Sequence, residues 1–212
     1  SLSFKIIGIL FMAVFTFLVF SMKADTIDSL KIELKKAAVE DKADILNQLS
    51  SLIKSRSLDS SLIFAQLALN ISKKEENITD QVNALYNIGN VFYYRGNYDK
   101  ALVQFDIAYK TIGDEDEIFS AKLMNRKGAV YQELGEYSKA AQYYDSSLQI
   151  CIRSKNKSGM ATAYNNIGNT CYFTSDFHSA IEYYQKSALI EEELGNIIGA
   201  AQSSFNIGSI YF

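Results

Sequence analysis

The chain has 212 residues, with 21 Lys and Arg against 24 Asp and Glu for a net charge of −3, and 48% of it is apolar. That apolar share is enough to build a core and excludes wholesale disorder. The slightly acidic balance argues against nucleic-acid binding, which needs a basic face. Two Cys and one His leave no set for a zinc site or a disulfide framework. There is no Trp and no Pro. At a usual Pro share of about 5%, roughly ten would be expected, so long uninterrupted helices are predicted.

The first element is the apolar run Ile6 to Phe20, broken only by Gly8 and Thr16, preceded by Lys5 and followed by the polar stretch Ser21 to Asp25. As a helix it would reach roughly 22 Å, short of the ~30 Å hydrocarbon core. That length fits a secretory signal peptide better than a membrane span. Residues 1–21 are therefore expected to be a signal peptide or an N-terminal membrane segment, with the cut after Phe20 or near Ala24. If uncleaved, residues 6–20 would attach the chain to a membrane.

Next, residues 25–44 read as one helix with an apolar stripe of Ile27, Leu30, Ile32, Leu34 and Ala37. Its expected role, over 25–42, is to cap the exposed face of the first repeat. From about Ala43 the chain repeats. Asn-Ile-Gly at 87–89 recurs at 166–168 and 206–208, with Arg126-Lys127-Gly128 in the equivalent place between. The glycines Gly89, Gly128, Gly168 and Gly208 are 39, 40 and 40 residues apart. Phe92, Tyr131, Cys171 and Tyr211 come after them at one offset, then Ala101, Ala140 and Ala180, then Phe105, Tyr144 and Tyr184. Ala108, Ser147 and Ala188 complete the units, and a degenerate first copy places Leu49, Leu52, Ser61, Ala65 and Ala68 in the matching positions.

Within each unit the large and small side chains recur at three- and four-residue steps, which predicts two amphipathic helices. Gly96-Asn97-Tyr98, Gly135-Glu136-Tyr137 and Ser175-Asp176-Phe177 predict the tight turns between them. One such hairpin cannot bury its own apolar face, so neighbours must stack. The expected fold is all-α, an α-α superhelix, or solenoid, of stacked helical hairpins.

Chemistry is sparse. There is no nucleophile motif, no HExxH and no phosphate-cradling glycine loop, and His178 has no catalytic companions in sequence. No catalytic residue, metal site or cofactor is expected, and the region is not expected to be an enzyme. Cys151 and Cys171 read as small buried hydrophobes, and Asp114 to Glu117 as a helix-start acidic cluster.

This repeat pattern resembles the tetratricopeptide repeat family over roughly residues 43–212, with one degenerate, three good and one truncated copy. Its unit of about 40 residues exceeds the family's usual 34 and lacks the closing Pro. The extra length is expected to lengthen the second helix and to add a glycine-containing link at Ser158 to Ala161 and Ile198 to Ala201. This longer form is similar to that of bacterial regulatory and sensor proteins and of kinesin light chains.

The resemblance implies that one face of each first helix lines a concave groove. Carried over by position, that face presents Asn83, Tyr86, Asn90 and Tyr93, then Lys122, Asn125 and Gln132, then Thr162, Asn165, Asn169 and Tyr172, and Gln202 begins the last. Amides offer both donors and an acceptor to a peptide backbone, and Tyr supplies apolar area at low entropic cost. The alternative is that these Asn and Tyr residues merely decorate a solvated face. Of the family's terminal-carboxylate clamp, Asn87, Lys122 and Arg126 are in place, while Leu46 and Ser50 break it. A weaker anion contact at Lys122 and Arg126 stays open.

The resemblance and the apolar start together lead to a protein- or peptide-binding module without nucleic-acid binding of its own. It is expected to be exported, periplasmic or membrane-anchored facing the periplasm, as the sensing or scaffold part of a longer bacterial signalling protein. The competing expectation is a cytoplasmic peptide-responsive regulator whose DNA-binding effector lies downstream.

Overall fold

Helix ends in this chain are set by a short recurring link. Asn77, Asp116, Asn156 and Asn196 each accept a hydrogen bond at Oδ1 from the backbone N–H three residues on, at 2.8–3.2 Å. Each satisfies one of the donors that a helix start leaves open, worth about 1 kcal/mol. The three asparagines also close the helix before them. Their backbone N–H groups reach back five residues to the carbonyls of Ser72, Cys151 and Glu191. The preceding residue takes a left-handed conformation, at Glu76, Lys155 and Gly195. The same closure ends the other set of helices, at Gly96, Gly135 and Ser175, with φ of 70°, 72° and 63°.

The computed structural model describes residues 26–113 and 116–211. Its helices are α1 (26–36), α2 (Val39–Ile53), α3 (Leu58–Lys74), α4 (Ile78–Tyr94), α5 (Tyr98–Ile112), α6 (Glu117–Glu133), α7 (Tyr137–Arg153), α8 (Lys157–Phe173), α9 (Phe177–Glu193) and α10 (Ile197–Gly208). No strand occurs among the described residues. The fold is all-α, built from stacked helical hairpins. Two compact units divide it, one ending at Val91 and the other beginning at Phe92, so the division falls inside α4. The apolar run 6–20 lies outside the described residues, among which no helix is long and apolar enough to cross a membrane.

In the first unit, Ile27 and Leu30 of α1 pack on Ile45 and Leu49 of α2, with Leu34, Ala37, Leu52 and Phe64 around them. One helix is expected over 25–44, and two are found, with the break at Ala37 and Ala38. Ile32 does not join the stripe and is 56% exposed. Leu30 and Ile32 are two residues apart, about 200° around the helix, so they cannot share a face. A second cluster joins Leu46, Ala68 and Ala84, linking α2, α3 and α4. Ser50 and Ser61 bond to each other's backbone carbonyls at 2.8 Å each, tying α2 to α3.

In the second unit, the core of α7 and α8 joins Ala140, Tyr144 and Leu148 to Ala163 and Ile167. A Cβ on Gly128 would lie 2.6 Å from the Tyr144 ring, and one on Gly168 would lie 2.7 Å from the Tyr184 ring. Each glycine is the space that the aromatic of the next helix fills. Ser147 Oγ donates to the Ala121 carbonyl at 2.8 Å, and Ser187 Oγ to the Ala161 carbonyl at 2.9 Å. The equivalent of Ser147 is therefore Ser187, not Ala188 as the sequence spacing pairs them.

Gly159 and Gly199 do not form links. They sit in the first turns of α8 and α10, where their N–H groups meet the capping Asn156 and Asn196. A side chain at Gly159 would run into Cys151 Sγ. The long unit comes instead from 17-residue helices at both places of the hairpin, α8 and α9.

Candidate functional site

The residues that the family resemblance assigns to a groove divide between the two units. In the first, Asn83, Tyr86 and Asn90 lie on one face of α4 at steps of three and four residues. Asn83 is half-buried and Tyr86 is buried. Asn90 is 1% exposed, and neither its Oδ1 nor its Nδ2 meets a hydrogen-bond partner in the protein. Asn87 Nδ2 donates to the backbone carbonyl of Asn47 at 3.1 Å. Asn47 Nδ2 in turn donates to the Asp80 carbonyl at 3.0 Å.

This unit also holds a cleft of about 640 Å³, lined by Glu33, Glu40, Asp41, Asp44 and Asp80 with Lys36. Burial, and then the Asp44 charge, push the Asp80 carboxyl above the usual range.

In the second unit the face is continuous across α6, α8 and α10. Lys122, Asn125, Arg126 and Gln132 stand on α6, and Asn165, Asn169 and Tyr172 on α8. Lys122 Nζ lies 4.9 Å from the Phe119 ring centroid. Asn125 Oδ1 accepts from Asn166 Nδ2 at 3.3 Å, and Asn165 Oδ1 accepts from Asn206 Nδ2 at 3.0 Å. Asn169 Oδ1 accepts from the Tyr184 hydroxyl at 2.8 Å. Gln132 Oε1 takes Thr170 Oγ1 at 3.3 Å and the Tyr144 hydroxyl at 3.5 Å.

Tyr93, at the start of this unit, donates to Glu133 Oε1 at 3.2 Å. Burial and the Glu133 charge push its phenol up to about 12, against the opposing pull of Arg126. Burial, then Cys171 and Tyr172, hold the Tyr184 phenol at about 12 as well. Tyr172 is exposed, edge-on to Phe173 and Phe177 at 5.8 and 5.7 Å.

The structure sets Lys122, Asn125 and Arg126 on α6 and Asn165, Asn169 and Tyr172 on α8. It also reveals the bonds made by the repeated asparagines, one of which, Asn87, stands at a clamp position and gives its Nδ2 to the Asn47 carbonyl. Asn87, Asn166 and Asn206 are the first residues of the three Asn-Ile-Gly motifs, and each bonds a residue 40 or 41 positions earlier. In the fourth copy Arg126 takes that place.

His178 is exposed and paired with Glu182 at 3.4 Å. Cys151 and Cys171 are free thiols, the first buried and the second half-buried. Asp116 caps α6, and Glu117 pairs with Arg153 at 2.8 Å.

Residues 119–193 match the family model described as tetratricopeptide repeat. BtubC (BKLC) from P. vanneervenii has a similar fold, with a TM-score of 0.71 at 18% identity, covering 90% of this chain and 81% of that one. The signal transduction ATPase with numerous domains PH0952 of Pyrococcus horikoshii carries a tetratricopeptide repeat sensor. It matches with a TM-score of 0.73 at 18% identity over 90% of this chain, which spans 30% of that protein. PlcR of Bacillus thuringiensis, solved with the peptide PapR7 and DNA, matches with a TM-score of 0.72 at 13% identity, over 86% of this chain and 68% of that one. At such identities these likenesses establish the fold alone.

Proposed function

We propose that this chain, whose residues 119–193 match the tetratricopeptide repeat model, forms a binding module for an extended peptide or protein segment. The observation that carries the reading is the face of α6, α8 and α10 in the second unit. It sets half-buried amides beside the exposed Lys122 and Tyr172. Half-buried amides held by internal bonds are preorganised, so little ordering entropy is lost on binding. Exposed Tyr adds contact area at low entropic cost. The buried Asn90 and Tyr86 belong to the first unit and are not part of this face.

The test is selection of a displayed random peptide library on the full chain, then titration of the enriched peptides. Lys122→Ala with Tyr172→Ala is expected to weaken binding by about tenfold or more. The melting temperature should hold, because both side chains are exposed. Unchanged affinity would reject the groove.

The module acts, on this proposal, outside the cytoplasm, as the sensing or scaffold part of a longer signalling protein. The apolar run Ile6 to Phe20 behind Lys5 supports that location. A second reading, a cytoplasmic peptide-responsive regulator, draws on the likeness to PlcR with its bound peptide and DNA. Cell fractionation with N-terminal sequencing of the mature chain separates them. A new N-terminus after Phe20 or near Ala24 in an extracytoplasmic fraction supports export, and an intact cytoplasmic chain supports the second reading.

A further inference from the structure

We propose that the α6 and α8 part of this face is polarised as a hydrogen-bond donor, and selects extended peptides bearing carboxylate side chains. This rests on the peptide-groove reading and specifies its ligand. A side-chain amide has an acceptor end and a donor end, and its internal partner decides which end remains for a ligand. At four amides of α6 and α8 the same end is taken, whereas Gln202 of α10 gives its Nε2 to Asn206 Oδ1 at 3.1 Å. The oxygens of Asn125, Gln132, Asn165 and Asn169 all accept bonds from within the protein. What each retains is an NH2 group at a half-buried position.

The donors that fill those oxygens are themselves fixed. Asn166 and Asn206 are held by the repeat spacing, one unit along from Asn125 and Asn165. The Tyr184 hydroxyl reaches Asn169 from a buried ring packed on Gly168. Lys122 and Arg126, one helical turn apart on α6, add two cationic donors to the same face. The carboxylate of Glu133, at the end of α6, is turned to the Tyr93 hydroxyl.

A ligand rich in donors, such as a lysine peptide, meets few acceptors here. A peptide offering carboxylate oxygens meets donors along its whole length. Hydrogen bonds to an ionised oxygen are roughly twice as strong as neutral ones. The recognised groups are therefore side-chain carboxylates spread along the segment.

The experiment uses the full chain and three fluorescein-labelled peptides of equal length, alternating Glu-Ala, Gln-Ala and Lys-Ala, with anisotropy as the readout. The Glu-Ala peptide is expected to bind about tenfold more tightly than Gln-Ala, and Lys-Ala most weakly. Asn165→Asp with Asn169→Asp keeps the oxygens that Asn206 and Tyr184 need and replaces the outward NH2 groups. It should lower Glu-Ala binding by about tenfold and narrow or invert the preference over Lys-Ala. Asn125→Asp, a single change on a different helix, should act in the same direction should the paired variant unfold. Gln142→Asp, exposed on α7, adds the same kind of charge off the face and should leave binding unchanged.

Tightest binding of Lys-Ala would overturn the donor polarity. So would equal binding of all three peptides, lowered alike by the on-face variants. In both cases the peptide-groove reading survives. Loss of Glu-Ala binding in Gln142→Asp as large as in Asn125→Asp would also overturn it, since net charge would then explain the effect. Binding of none of the three peptides would overturn it together with the groove.

Discussion

The two units solve one packing problem in opposite ways. In the second, the first helix of a hairpin contributes glycine and the second contributes a tyrosine ring, as at Gly128 with Tyr144 and Gly168 with Tyr184. In the first, the equivalent positions hold Leu49 on α2 and Ala65 on α3, both 0% exposed. Leu49 packs with Ile27 and Leu30 of α1 and with Ile45, so α1 supplies part of the bulk around this first hairpin. The units differ in surface as well. The first carries an acid-lined cleft, and the second presents amide NH2 groups beside two cations.

The largest expected effect comes from forcing one arrangement onto the other unit. Tyr144→Ala should cost about 3–5 kcal/mol by urea denaturation, since it empties a fully packed site. Adding Gly128→Leu reproduces the Leu49 and Ala65 arrangement and should restore about 0.5–3 kcal/mol. Gly128→Leu alone should destabilise by about 1–3 kcal/mol through overpacking. A double variant no more stable than Tyr144→Ala would mean that bulk cannot be exchanged between the helices.

A smaller effect concerns the tyrosines of the second unit. The unfolded phenol ionises near 10, whereas Tyr93 and Tyr184 hold their protons to about 12 in the fold. Their contribution is fully present below the unfolded value and is lost as pH rises through the folded one. The melting temperature should therefore fall between about pH 10 and pH 12. Tyr184→Phe should shallow that fall while costing about 0.5–1.5 kcal/mol at neutral pH, for its bond to Asn169. An unaltered pH profile in Tyr184→Phe would separate this residue from the alkaline loss.

Much of the fold was legible because helices and turns are local. The 40-residue period, the turns at Gly96, Gly135 and Ser175, and the acidic start of α6 at Asp116 all derive from spacing and cap chemistry. The capping helix differs at Ile32, where residue type outweighed angle, and at the break at Ala37 and Ala38. The candidate face was legible in part. Its side chains come from positional equivalence, but the Asn-Ile-Gly motif read as a register mark when its Asn is the bond between repeats.

By itself the sequence determined that this chain is a stack of helical hairpins, where each hairpin turns, and which helix face is apolar. These depend on residues within one or two turns of each other, and an absence of proline lets every helix run to its cap. Only the tertiary structure decided that Asn90 is buried, and that Asn125, Asn165 and Asn169 give their oxygens to partners within the protein. The end of an amide left for a ligand is chosen by a partner 15 to 41 residues away, and no local pattern carries that information.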